Sequence, residues 1–151
     1  MVPFHFQTAI IPGVIAGVIT IFTSWLWMAV IFHRFQNRTP ETWRRETGLS
    51  YAASSALHVL AAIAIAIFFT VLKQHAPALF ETGIHCVVAF ALAVWAAFAL
   101  PIILEAAIFI RLHPLVVVGQ LLDWLTTSLL ATLVTAWWQG SGATSAVSSL
   151  F

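Results

Sequence analysis

The chain has 151 residues, of which 62% are hydrophobic and 7% charged, with a net charge of +1 and a mean hydropathy of +1.01. An average soluble domain is about 45–50% apolar and about 25% charged, so this composition excludes an ordinary water-facing surface and points to lipid as the main solvent. The absence of a basic tract excludes nucleic-acid binding by charge, and the single cysteine, Cys86, excludes an intrachain disulfide and argues against a thiolate zinc site.

The first ten residues, MVPFHFQTAI, contain no Lys or Arg. A signal peptide needs a positive leading region, so the first apolar segment reads as a retained span. A spanning helix needs about 20 apolar residues, and the first such run extends from about Thr8 to Phe32. Gly13 and Gly17 form a GxxxG pair there, continued by Thr20 and Ser24. Such a stripe of small residues lets another helix approach closely, either within the chain or in a homodimer.

The loop that follows carries Arg34, Arg38, Arg44 and Arg45. Thr39 suits a helix cap, Pro40 the first helical position and Glu41 the positive end, which predicts a short surface helix over residues 40–47. Trp43 would insert its ring among headgroups, with Arg44 and Arg45 on anionic lipid. This reads as simple topological anchoring or as contact with a specific lipid or other anion. Membrane lipids are in either case the expected partners.

At WLWMAVIFHRFQNRTPETWRRE, residues 25–46, the chain resembles a family of small bacterial four-span membrane proteins known by a domain-of-unknown-function label. The resemblance rests on a Trp-rich end of the first span and a Thr-Pro-Glu-Thr-Trp loop. It implies the same four-helix fold in an inner membrane, and no reaction, substrate or site residue.

The second span runs from about Ser50 to Leu72 and is Ala-rich, which suggests close helix neighbours. It contains His58. Beyond it, Lys73 is the only basic residue on its side. Glu81 and His85 lie one helical turn apart, with Cys86 adjacent and His75 and His5 elsewhere on that side. They read as an interfacial Glu–His contact or a weak divalent metal site. The third span runs from about Gly83 to Ile110. Pro101 cannot donate to the carbonyl of Ala97, which predicts a kink, and Glu105 lies one turn further on. After Arg111 the fourth span runs from about Leu115 to Trp138, with Asp123 inside it and a Gly/Ser-rich tail, 139–151, read as flexible. The expected fold is therefore all-α, one integral membrane four-helix bundle over residues 1–151, with no internal repeat. The positive-inside rule places both arginine-bearing loops in the cytoplasm and both termini outside, and the resemblance implies that the membrane is a bacterial inner membrane.

At 1.5 Å per residue, Glu105 lies about 9 Å from the cytoplasmic end, and Asp123 and His58 about 12 Å. Ser24 and Trp25 fall at a comparable level. A charged residue at mid-helix costs about 2.5–3.5 kcal/mol, so a shared layer that pairs these groups is expected. Asp123, Glu105 and His58 are the candidates for binding an ion or proton, with His58 as relay. The leading expectation is a proton- or cation-coupled transporter or channel. A homo-oligomer is expected because one chain offers a narrow core. The alternative is a non-catalytic structural or partner-binding subunit, in which the layer is interhelical glue. A lipid-active membrane enzyme is the third reading, and it calls for a cavity beside the layer. No HExxH, CxxC, GxSxG or phosphate loop is present. No catalytic residue and no cofactor are expected.

Overall fold

A computed structural model describes residues 7–43, 46–80 and 83–140. Four helices are long and apolar enough to cross a membrane: Gln7–Ile31, Gly48–His75, Ile84–Phe109 and Pro114–Gly140. They follow from the four apolar runs, because in hydrocarbon the backbone must bond within its own segment, and a helix does so. The described residues contain no strand, and the chain is an all-α, multi-pass membrane protein. The expected tail at 141–151 lies outside the described residues, while Gln139 and Gly140 belong to the fourth helix.

The outer surface is apolar, unlike that of a water-soluble bundle. Large apolar side chains point outward, among them Ile108 at 78% and Phe109 at 81% exposed. The interior holds Ala16, Ala62, Ala66, Ala91, Ala131 and a set of hydroxyls, Thr20, Thr127, Ser128, Thr132 and Thr135. Lipid is as apolar as leucine, so helices in it associate through close backbone approach and interhelical hydrogen bonds. The GxxxG pair supplies the first: a Cβ on Gly13 would lie 2.7 Å from Cα of Ile63, and one on Gly17 2.6 Å from Cα of Val59. The GxxxG pair thus serves packing of the first span on the second.

The fourth span is the hub. It packs against the first, second and third spans, and the first and second also pack on each other. The third span rests mainly on the fourth. Near the end opposite the arginine loops, the second and third spans meet through Phe rings, with Phe69–Phe90 centroids 5.4 Å apart and Phe68–Phe90 5.3 Å. Toward the middle of the bundle they separate, which leaves a cleft of about 460 Å³.

Two stretches are π-helical, Trp25–Ile31 in the first span and Trp95–Ala99 in the third. The backbone shows the wider turn directly: Phe32 donates to the carbonyl of Trp27 at 2.9 Å, and Leu100 donates to that of Trp95, each five residues back. The expected distortion at Pro101 thus takes the form of a π turn ending just before the proline. The helix expected over 40–47 is corrected to one 3-10 turn, Pro40–Thr42. Thr39 makes no cap bond, and Trp43 already has extended backbone. A short helix has too few bonds to repay its nucleation, and Thr47 is engaged in capping the next span, where it exchanges bonds with Ser50. Arg44 and Arg45 lie outside the described residues. Trp43 is half-buried, with its indole N–H enclosed and unpartnered.

Candidate functional site

The fourth span carries Asp123 into the centre of the bundle, where it is 4% exposed. The second span brings His58 opposite it, 5% exposed, with Nε2 at 3.2 Å from Oδ2 of Asp123. Ser24, where the first span changes from α to π geometry, donates to the same Oδ2 at 2.9 Å. Three helices therefore converge on one carboxylate oxygen. The ring of Trp124 stacks on His58, centroids 5.1 Å apart and planes 13° from parallel.

The proton count follows from one further contact. Nδ1 of His58 lies 2.9 Å from the carbonyl oxygen of Ser54. A carbonyl can only accept, so Nδ1 carries hydrogen. One proton is then left for the line between Nε2 and Oδ2. It rests on the ring, giving imidazolium and carboxylate, or on Asp123, giving a carboxylic acid that donates to a neutral ring. Both arrangements have zero net charge, and removing the proton would set a lone pair against a carboxylate in a low-dielectric interior. The pair is a neutral unit holding one proton.

Two tryptophans brace the fourth span around this unit. Trp27 donates through Nε1 to Thr126 Oγ1 at 3.1 Å, and Trp95 donates through Nε1 to the carbonyl of Leu121 at 3.0 Å. Both indoles project from the π stretches, which are recurrent at functional sites because they re-aim side chains. On the arginine side, the ring of Phe32 sits on Gly119, where a Cβ would come within 2.7 Å of it. That contact closes the bundle one turn before Asp123. On the other side a line of hydroxyls follows the fourth span, Thr127, Ser128, Thr132 and Thr135, all buried. It ends at Gln139, which bonds Thr70 at 2.8 Å and receives Lys73 at 3.3 Å. From Asp123 to Gln139 is about 24 Å along the helix.

Glu105 does not join the pair. It is exposed on the outside of the third span and makes no hydrogen bond or ion pair with a described residue. Residue counting gives a level along a helix but not a direction around it. The π stretch at Trp95–Ala99 inserts extra backbone per turn and rotates every later face relative to a continuous α-helix. Trp25 likewise points outward, at 60% exposed, and Trp27 takes the inward position. The spacing of three from Ser24 was the available signal for Trp27. Nothing in the sequence singles out Trp95 or Trp124. Glu81 lies outside the described residues, His85 is exposed, and no group of three His, Cys, Asp or Glu gathers among the described residues.

The cleft between the second and third spans is lined by apolar groups such as Ala64, Phe68, Phe98 and Ile102 and is floored by Trp124 and Ser128. Neither His58 nor Asp123 lines it. The Trp124 ring lies on His58 and faces the cleft, so it separates the polar pair from the space open toward lipid.

No family model, no curated protein and no solved structure matches the chain.

Proposed function

We propose that this chain carries protons across a membrane, as a small transporter or channel subunit, with His58 and Asp123 as its proton-binding unit. The observation that carries the reading is the bond of His58 Nδ1 to Ser54, which leaves one proton shared between two titratable groups inside a lipid-embedded bundle. Intramembrane carboxylates and histidines are expensive to bury, and proton relays are a principal use for them. A bound cation fits less well, because it would add net charge to a unit that is already neutral. Glu105, exposed outside the bundle, has no part in the mechanism. A lipid-active enzyme would need the acid–base pair to face the cleft, and Trp124 stands between them.

The orientation belongs to the same proposal. The first and third loops lie together at one end, where Phe35 stacks on His113 and Arg38 approaches the same ring at 3.5 Å. With Arg34, Arg38 and Arg111 at that end, the positive-inside rule favours its placement on the cytoplasmic side, with both termini outside. The hydroxyl line then runs toward the outside, and Phe32 on Gly119 lies on the inner side.

Proton flux in proteoliposomes tests this reading, followed with an enclosed pH dye under an imposed potential. The wild-type chain should acidify the lumen, and Asp123→Asn and His58→Gln should each reduce the rate at least about tenfold, or about 1.4 kcal/mol in the barrier. Undetectable wild-type flux, with both variants merely lowering bundle stability, would instead assign the pair to interhelical adhesion in a structural subunit.

A further inference from the structure

Two buried oxygens on the fourth span have no hydrogen-bond partner among the described residues, Oδ1 of Asp123 and Oγ1 of Thr127. They are one helical turn apart on the same buried face. The Thr127 hydroxyl is the exception on its helix. Thr126, Ser128, Thr132 and Thr135 each donate back to the carbonyl four residues earlier, at 2.7–2.9 Å. Thr127 makes no such bond, so its hydrogen is directed elsewhere.

The register across the interface supplies a third group. Ser24 meets Asp123, and two turns along, Ala16 packs with Ala131 and Ala62. The first and fourth spans are antiparallel, so Thr20 lies between those levels, at the height of Thr127. Both threonines are fully buried. Thr20 donates its hydroxyl hydrogen to the carbonyl of Gly17 at 2.8 Å, which leaves its oxygen able to accept. The local set is thus one donor, Thr127, and two acceptors, Asp123 Oδ1 and Thr20 Oγ1.

We propose that Asp123, Thr127 and Thr20 form a binding site for a single internal water. Side chains one turn apart have Cβ atoms about 5–6 Å apart, a span that one water bridges with two ordinary hydrogen bonds. The water accepts from Thr127 and donates to Asp123 Oδ1 and Thr20, and buried waters typically make about three such bonds. Sodium suits the set poorly. Thr127 would have to turn its hydrogen away, and the ion would bring a charge to a neutral unit.

The site stands on this geometry alone. Its role rests on the proton-carriage reading: by donating to Oδ1 the water favours the carboxylate form of Asp123 and holds the shared proton toward Nε2 of His58.

Difference infrared spectroscopy of the full-length protein in lipid bilayers, in ordinary water and in H2-18O, tests the site without reference to flux. An 18O-sensitive O–H stretch of an internal water is expected in wild type, absent in Thr127→Val and retained in Thr127→Ser. No such band in wild type, an unchanged band in Thr127→Val, or displacement of the band by added sodium would each overturn the assignment. In proteoliposomes, Thr127→Val should slow flux about tenfold while Thr127→Ser restores it; a valine variant that lacks the band yet conducts at the wild-type rate would overturn the water's role. The infrared result stands whether or not the wild type conducts, so failure of the water site and failure of the transport reading are told apart.

Discussion

The carbonyl of Ser54 decides what the His58–Asp123 contact means. Without it, a neutral ring could donate from Nε2 to an ionised Asp123 and the unit would carry a negative charge. With Nδ1 committed to Ser54, the ring can only share a proton with Asp123. Ser24 contributes the second bond to Oδ2. Replacing it with alanine removes a donor from a buried carboxyl without disturbing either partner of the pair. Interhelical hydrogen bonds in membranes are worth about 0.6 to 2 kcal/mol. Ser24→Ala should therefore lower unfolding stability in detergent by about that amount, with Ser24→Thr closer to wild type. Equal stabilities of the alanine variant and wild type would show that the Ser24 bond contributes nothing to the bundle. Asp123 and His58 stood out in the sequence as polar groups in apolar runs, at matching distances from the helix ends. Thr127 did not stand out, because one threonine among five Ser and Thr residues between 126 and 135 carries no mark of being unbonded.

The helices themselves were largely legible. Apolar run length is a direct consequence of membrane thickness, and the four spans begin and end within a few residues of the expected positions. The direction of each side chain was less so. The π stretches at Trp25–Ile31 and Trp95–Ala99 each hold an indole bonded to the fourth span, Trp27 and Trp95, and they rotate the residues that follow relative to a continuous α-helix. The GxxxG pair was readable as a close-contact stripe, and its partner, the second span, was not. That partner makes a sharp prediction. A methyl group on Gly17 would lie 2.6 Å from the backbone of Val59, whereas one on Gly48 meets nothing within 4 Å. Gly17→Ala should force the two spans apart at a cost of about 1–3 kcal/mol. Gly48→Ala should stay within about 0.5 kcal/mol of wild type. Thermal unfolding of the two variants side by side checks the contrast, and equal losses would place the first and second spans further apart than described.

Across the whole molecule, polarity is distributed in one direction. Phe32 on Gly119 and the buried Val116 and Val117 close the arginine end, while hydroxyls continue from Asp123 toward Gln139 and Lys73. Between them lies the one buried ion-pairing unit among the described residues. On the proton-carriage reading, this arrangement would give a proton a polar approach from one face and an apolar barrier to the other. Everything in this account depends on how many protons that unit holds and where. Nitrogen-15 NMR of the ring of His58, in the full-length protein in lipid bilayers, measures this directly. Nδ1 should be protonated at every pH at which the bundle is folded, with Nε2 reporting a proton shared with Asp123. A neutral ring protonated only at Nε2, with a bare Nδ1, would contradict the account.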